Sequence, residues 1–323
     1  MIQVVWFKKD LRVSVHQPLW EACKRGPVLP LYVFEPEIML AGDYSMQHYG
    51  FTRESLLSLE KQLRDIGLRI AIRHAPILQV FASLMSEFKG FSLLSHEETG
   101  NALSFQRDLA VGSWCRSNGI VWEEFASKSV VRRLKSRDRW ASLWNQRMSM
   151  IPLNIPKEIQ TISLTPNVQE WPDQLASVTF LQLSRQAEDK GHRQVGGLAV
   201  ARGYLHSFLK GRGVHYRSAM SAPMTAQEAC SRLSPYLTMG VLSVRQVVHE
   251  LKAAQDYWRG LGPDHTPQGL LSSLSSFESR LHWHCHFIQK LESEPRLEFE
   301  NLHPAYDGMR DSGTNGVRLK AWS

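Results

Sequence analysis

Residues 230–240 carry the pattern with the clearest chemical meaning, because hydroxyl groups and a guanidinium stand where a helix is predicted to begin. The first N–H groups of a helix have no partner inside the helix, and the positive end of the helix dipole lies beside them. We therefore predict a phosphate site formed by Ser231, Arg232 and Ser234. The alternative is a plain helix cap, since serine is a common capping residue.

A second charged segment follows the first apolar run of the chain. Residues 4–7 are apolar, and Lys8, Lys9, Asp10 and Arg12 come directly after them. The loop after a strand of a parallel sheet is a common position for ligands. The Gly-x-Gly-x-x-Gly pattern is missing there, so the sequence does not predict a dinucleotide site of the Rossmann type at this first turn.

Three blocks of sequence, residues 4–12, 230–234 and 277–284, resemble in this order the photolyase/cryptochrome family of flavoproteins. The resemblance runs along nearly the whole chain. It implies that FAD lies in a helical domain and that Tyr216 lies near its phosphates. Glu278 and His282 are four residues apart on a predicted helix, so both could line one cavity, and we assign them to the cofactor site. The residues implied to hold the phosphates are Cys230, Ser231, Arg232, Leu233 and Ser234.

The resemblance implies a light-driven reaction in which reduced FAD gives an electron to a pyrimidine dimer in DNA, which then splits. It assigns no catalytic side chain. A second, antenna chromophore of unknown identity is also implied, and the polar loop over 95–101 is a candidate place for it. Repairing members of the family have a tryptophan where Leu281 stands and an arginine at His282. These departures favour the alternative of a cryptochrome-like blue-light sensor or a non-catalytic interaction module.

The fold class predicted from the apolar pattern is α/β. Short apolar runs at 2–7, 28–34, 68–72, 91–94 and 120–122 alternate with helix-length segments, which predicts a parallel sheet. We predict a Rossmann-like domain over 1–130, a proline-containing interdomain connector over 131–195, and a partial all-α FAD-binding domain over 196–323. The family continues beyond Ser323, so the resemblance implies a carboxyl-truncated form. Because an open half-pocket buries less of a cofactor, we expect weak or absent FAD binding by this chain alone.

Composition indicates a globular protein with a polyanionic partner. The chain has 323 residues, 43% of them hydrophobic, and a net charge of +7, which favours DNA. A basic segment over 128–147 is interleaved with Trp140 and Trp144 and could follow a phosphate backbone. The interpretation that we favour is a solvated helix whose tryptophans pack inward. The basic residues of this segment after Lys128 are Arg132, Arg133, Lys135, Arg137, Arg139 and Arg147.

Cysteine and histidine spacing does not favour a metal site. The four cysteines are far apart, so neither a zinc knuckle nor a disulfide framework is predicted, and a reducing, cytoplasmic location is expected. Of three clustered histidines, only His282 and His286 share a helix face, so we interpret them as packed or flavin-facing. We also expect neither a secretion signal nor a membrane span, because the first residues enter a strand directly and no apolar run is long enough.

Overall fold

The computed structural model describes residues 1–126, 130–156, 159–160, 162, 192–309 and 315–322. About half of the predicted connector over 131–195, residues 157–158, 161 and 163–191, therefore lies outside the described residues. Within the described ranges, none of the helices combines the length and the apolar composition that crossing a lipid bilayer requires.

The first part of the chain forms one parallel sheet with the strand order β3-β2-β1-β4-β5. The strands are β1 (Ile2–Phe7), β2 (Val28–Phe34), β3 (Ala71–His74), β4 (Phe91–His96) and β5 (Trp122–Phe125). The helices between and beside them are α1 (Gln17–Arg25), α2 (Pro36–Met39), α3 (Met46–Asp65), α4 (Ile77–Phe88) and α5 (Ala102–Ser117). The α/β prediction is confirmed. Because the chain reverses its direction of winding between β1 and β4, a crevice is expected at their carboxyl ends.

Two strands begin later than predicted, and hydrogen bonds explain both differences. β3 begins at residue 71 because the N–H of Ile70 donates to a carboxylate oxygen of Glu60 at 3.2 Å instead of joining the sheet. β5 begins at residue 122 because the N–H of Ile120 still donates to the carbonyl of Cys115 at 2.9 Å, in the turn that ends α5. Apolar character alone could not separate these turns from the strands that follow them.

Beyond β5, the described residues form helices and turns and no strand, as predicted. The helices are α6 (Trp140–Ser149), α7 (Leu198–Lys210), α8 (Tyr216–Ala219), α9 (Pro223–Ala229), α10 (Ser234–Thr238), α11 (Val244–Leu261), α12 (Leu270–Ser293) and α13 (Gly316–Trp322). The 3-10 turns are Arg137–Arg139, Arg212–His215, Pro295–Glu298 and Pro304–Tyr306. Helix α10 begins at Ser234, where the sequence predicts a helix start.

The apolar core continues from the sheet into the helical part. Side chains of a strand alternate between faces, so Val4 and Trp6 join the core on one side of the sheet, and Val5 and Phe7 join the core on the other. The second core also contains Tyr236 of α10. The sheet and the helices around α10 are therefore packed against each other.

A segment just before α7 anchors the helical part to α3. Arg193 makes two hydrogen bonds of 2.8 Å with the carboxylate of Glu54, which also accepts the N–H of Gly196 at 2.6 Å. A Cβ atom at Gly196 would lie 2.3 Å from the carbonyl oxygen of Phe51, so the backbones approach too closely for a side chain. This contact sets where the helical part begins relative to the sheet.

Candidate functional site

A cavity of about 250 Å³ lies at the carboxyl ends of β1 and β2, and we call it the sheet-edge cavity. The polar loop over 95–101 contributes Glu98 and Asn101, and the charged turn, residues 8–12, contributes Lys8 and Lys9. Its aromatic lining comes from Trp6, Phe7, Tyr32, Phe34 and Tyr44. Thr238 and Met239, at the end of α10, complete the lining. A flat aromatic ligand with polar edges fits these walls.

One guanidinium organises the charges beside this cavity. Arg107 on α5 lies 2.8 Å from Glu35, 2.8 Å from Glu98 and 2.9 Å from Asp108. Asp108 also pairs with Lys8 at 2.8 Å. Sequence spacing gives no signal for this cluster, because its carboxylates come from the ends of β2 and β4 and from α5 itself.

The pKa values of Glu98 and Glu35 are shifted in opposite directions. Burial raises the pKa of Glu98, but Lys9, Lys8 and Arg107 lower it by more, and the pKa is about 2. Burial raises the pKa of Glu35 despite the opposing effect of Arg107. Glu98 is therefore charged at neutral pH, whereas burial makes the charged form of Glu35 less favourable than it is in water.

A buried carboxylate holds the charged turn in place. Asp10 accepts hydrogen bonds from the N–H of Lys8 at 2.7 Å, from His16 Nε2 at 2.9 Å and from His96 Nδ1 at 2.6 Å. Burial alone would raise the pKa of Asp10, but the two histidines lower it well below the usual value. The turn that the sequence predicts as a ligand loop is thus largely buried. Arg12, at the end of the turn, is only 8% exposed.

Asp10, His16 and His96 are residue types that bind metal ions, and their ligand atoms lie within 4.8 Å of one another. The hydrogen bonds argue for a different role. His16 Nδ1 accepts the N–H of Leu19 at 3.1 Å, so the neutral ring carries its proton on Nε2, which faces Asp10. A metal ion at Nε2 would require removal of that proton. The cluster of Asp10, His16 and His96 is therefore a hydrogen-bonded carboxylate.

Lowering the pH from about 7 to about 5 is expected to destabilise the protein. Burial lowers the pKa of His16, and it lowers the pKa of His96 from 6.5 to about 3. Below the unfolded histidine pKa of about 6.5, the unfolded chain therefore binds protons that the folded chain does not bind. The free energy of unfolding decreases as the pH falls below this value. Urea unfolding across this range measures the effect. The variant His96→Gln should show a weaker pH dependence, and an unchanged dependence would contradict the neutral state of His96.

Residues 230–234, which we call the serine turn, connect α9 to α10. Arg212 donates to the carbonyl groups of Cys230 and, at 3.3 Å, of Ser231. Gln194 donates to the carbonyl of Arg232 at 2.7 Å. The turn is therefore fixed through its carbonyl oxygens.

The N–H groups of the serine turn point the other way. In a trans peptide the N–H lies opposite the carbonyl that precedes it, so the N–H groups of Ser231 and Arg232 point away from Arg212. Arg232 has a φ of +61°, and Leu233 follows with φ of −90° and ψ of −9°. Successive left- and right-handed residues turn their N–H groups toward one point, an arrangement that binds anions. Among the described residues, the N–H groups of Ser231, Arg232 and Ser234 have no acceptor, whereas that of Leu233 donates to the hydroxyl of Ser231 at 3.4 Å.

The other residues implied for the flavin site divide into two environments. Tyr216 is buried in contact with Phe208 and Phe277, with ring centroids 5.4 and 5.9 Å away. Burial raises the pKa of Tyr216, and nearby Cys230 adds to the shift. The placement of Tyr216 beside flavin phosphates stays a prediction. Of the turn itself, Leu233 is buried and the hydroxyl-bearing Ser234 is exposed.

Glu278 and His282 contact neighbours different from those of Tyr216. Glu278 accepts from Gln255 on α11 at 3.4 Å. The ring of His282 lies 4.7 Å from that of Trp140 and 5.0 Å from that of Trp144. Their assignment to a flavin cavity stays a prediction.

The basic segment over 128–147, of which 130–147 are described, places its tryptophans inward, as our favoured interpretation expects. Trp140 and Trp144 are each 3% exposed. Three of its cations have partners: Arg132 pairs with Glu124, Arg137 donates to His286, and Arg147 donates to the carbonyl of Val130. The exposed cations are Arg133, Lys135 and Arg139.

Comparison with known proteins connects this architecture to one family. The model of the DNA photolyase family matches residues 3–138. The deoxyribodipyrimidine photo-lyase of Halobacterium salinarum is 22% identical over 99% of this chain and 67% of its own length. These matches include the charged turn and, for the second, the serine turn.

Two crystal structures share the fold. A class III photolyase from Agrobacterium tumefaciens has a TM-score of 0.76 at 22% identity, over 99% of this chain and 64% of that one. An archaeal photolyase from Sulfolobus tokodaii with two FAD molecules has a TM-score of 0.72 at 20% identity, over 100% of this chain and 66% of that one. The chain thus spans about two thirds of the length of each of these proteins. The family model and the matches along nearly the whole length of the chain support its membership of the photolyase/cryptochrome family.

Proposed function

We propose that the serine turn binds the diphosphate of FAD and that the chain is a flavoprotein of the photolyase kind. The observation that carries the proposal is the left-handed Arg232 followed by Leu233, with the carbonyl groups of the turn held on the far side by Arg212 and Gln194. The oxygens of a diphosphate would accept hydrogen bonds from the unpartnered N–H groups and from the hydroxyl of Ser234. The resemblance to the family implies that Tyr216 lies near the same phosphates.

The donor set fits a phosphate better than a neutral ligand. Backbone N–H groups and hydroxyl groups stabilise negative charge without needing a paired side-chain cation. The guanidinium of Arg212 is held to carbonyl groups behind the turn, and its positive charge adds to the potential there. Bound and reduced FAD would supply the light-driven electron that splits a pyrimidine dimer in DNA.

The sheet-edge cavity is our candidate for the second chromophore. Its aromatic walls suit a flat ring, and Glu35 and Lys9 offer polar contacts at the edge. The archaeal relative with two FAD molecules supports a second flavin as the ligand class. Which chromophore this chain binds is measured by extracting it from the purified protein and recording its spectrum.

A cryptochrome-like sensor or an interaction module is the second candidate function. Leu281 is 2% exposed, so its side chain is not presented for stacking on an extruded base, and the ring of His282 contacts those of Trp140 and Trp144. A flavin-loaded protein that leaves dimer-containing DNA unchanged under light would favour this candidate over repair.

Two substitutions at Arg232 test the backbone site. Arg232→Gly keeps the left-handed conformation and removes the guanidinium, whereas Arg232→Val disfavours that conformation because valine is β-branched. We expect FAD affinity, measured by flavin fluorescence, to change less than about threefold in the first and to fall at least about tenfold in the second. Equal reductions in both variants would show that the side chain, and not the backbone, binds the phosphate. The affinity of the unaltered chain tests separately our expectation of weak binding.

DNA binding is proposed to use the exposed cations Arg133, Lys135 and Arg139. Changing all three to glutamine should weaken DNA binding and make the slope of log K against log salt shallower by about 1 for each cation that pairs with a phosphate. A control with Lys61, Lys252 and Arg259 changed to glutamine should keep the slope. Binding that does not respond to salt in the unaltered protein would exclude this surface as the DNA-binding face.

A further inference from the structure

We propose that the contact between the charged turn and Gly240 links the sheet-edge cavity to the serine turn, so that a flat ligand in the cavity orders the N–H groups of residues 231–234. The inference rests on the proposed function of the serine turn as the diphosphate site. It assigns Gly240 and Arg12 as positioning residues for that site.

Helix α10 connects the two places directly. Its first residue, Ser234, ends the serine turn, and its last residue, Thr238, lines the sheet-edge cavity together with Met239. At about 1.5 Å per residue, four steps of an α-helix span about 6 Å. A helix this short has little internal freedom, so a shift at one end moves the other.

Gly240, two residues after the end of α10, packs against the backbone of the charged turn. Its φ is +64°, and a Cβ atom there would lie 2.3 Å from the carbonyl oxygen of Lys9 and 2.5 Å from the Cα of Asp10. Real Cβ atoms do not approach backbone atoms to such distances, so only glycine permits this contact.

Hydrogen bonds hold the same contact from both sides. The N–H of Leu11 donates to the carbonyl of Met239 at 3.1 Å. Arg12 donates to the carbonyl of Gly240 at 2.9 Å and to that of Val15 at 3.1 Å. The end of α10 is thereby attached to the backbone of the charged turn.

The charged turn itself is rigid, because Asp10 is held by two histidines and by the N–H of Lys8. Lys9, within this turn, lines the cavity on one side of the contact and Met239 lines it on the other. A ligand that touches both would restrict their relative motion. Ordering one site in this way lowers the entropy that binding at the other site must remove, which is positive cooperativity.

The first experiment needs no ligand. In Gly240→Ala, hydrogen exchange of the amides of residues 231–234 should accelerate at least about tenfold, while that of β1 and β4 stays unchanged. Gly203→Ala on α7 is the matched control, because a Cβ there meets no atom within 4 Å. Unchanged exchange at 231–234 in folded Gly240→Ala would overturn the link.

Arg12→Met provides a second variant if Gly240→Ala does not fold. Methionine fills a similar buried volume but cannot donate to Gly240, so exchange at 231–234 should again accelerate. Acceleration spread evenly over the whole chain would indicate general destabilisation and would count against the proposal.

The effect of a ligand in the sheet-edge cavity is tested with lumiflavin, which has the flat ring but no phosphate for the serine turn. We expect its binding, followed by quenching of Trp6 fluorescence, to slow exchange at 231–234 several-fold in the unaltered protein and not in Arg12→Met. If lumiflavin does not bind, or binds without slowing hydrogen exchange at 231–234, the proposal that a ligand in the cavity orders the serine turn is overturned. ADP binding to the unaltered protein, assayed in parallel, reports on the diphosphate site independently, so the two failures are distinguishable.

Discussion

Replacing Arg107 by methionine is expected to lower the free energy of unfolding by about 3–5 kcal/mol. This guanidinium is the shared partner of Glu35, Glu98 and Asp108, all of them buried. Without it three carboxylates face one another with only Lys8 and Lys9 nearby, and each must remain charged in a desolvated place or take up a proton. Urea unfolding measures the decrease.

The same helix offers a matched control for this variant. Arg116→Met removes an exposed guanidinium from α5 and should change stability by less than about 0.5 kcal/mol. Adding Glu98→Gln to Arg107→Met should restore part of the stability, because the substitution removes one of the buried carboxylates that has lost its partner. Equal stability of Arg107→Met and Arg116→Met would contradict the buried cluster.

Arg212→Met is expected to reduce FAD affinity at least about tenfold while the protein remains folded. Arg212 donates to carbonyl groups of the serine turn and of Tyr204 and Glu228. Removing it frees the peptide groups of the turn to rotate, so their N–H groups no longer meet at one point. Equilibrium dialysis with FAD measures the change in affinity.

Arg202→Met on α7 is the control for that experiment. Arg202 forms an exposed ion pair with Glu250 and touches neither the serine turn nor the sheet-edge cavity, so its replacement should leave FAD affinity within about twofold. Weaker binding by Arg212→Met accompanied by global unfolding would count as a stability effect, which circular dichroism distinguishes.

The part of the site that the sequence predicts is local. Helix α10 begins at Ser234, where the sequence predicts a helix start, although Leu233 holds the N-cap position and no side chain caps the helix; the apolar runs predict the parallel sheet within a few residues. Both depend on neighbours in the sequence. The left-handed conformation of Arg232 is different, because arginine carries no preference for it, and the bonds from Arg212 and Gln194 to the turn's carbonyl groups accompany it.

The parts that the sequence does not predict depend on long-range contacts. Arg12 and Gly240 are 228 positions apart and still share a hydrogen bond. Arg107 has no spacing relation to Glu35 that a motif could capture. The charged turn shows the consequence, since its charges suggest an exposed ligand loop, while Lys8, Asp10 and Arg12 are each less than 9% exposed in the folded protein.

The most direct test of the account follows the N–H groups of the serine turn while FAD or ADP is added. In protein labelled with nitrogen-15, the amide signals of Ser231, Arg232, Leu233 and Ser234 should shift together and their hydrogen exchange should slow. Binding of FAD that leaves these four signals unchanged, and shifts residues elsewhere, would contradict the central claim that this turn receives the diphosphate.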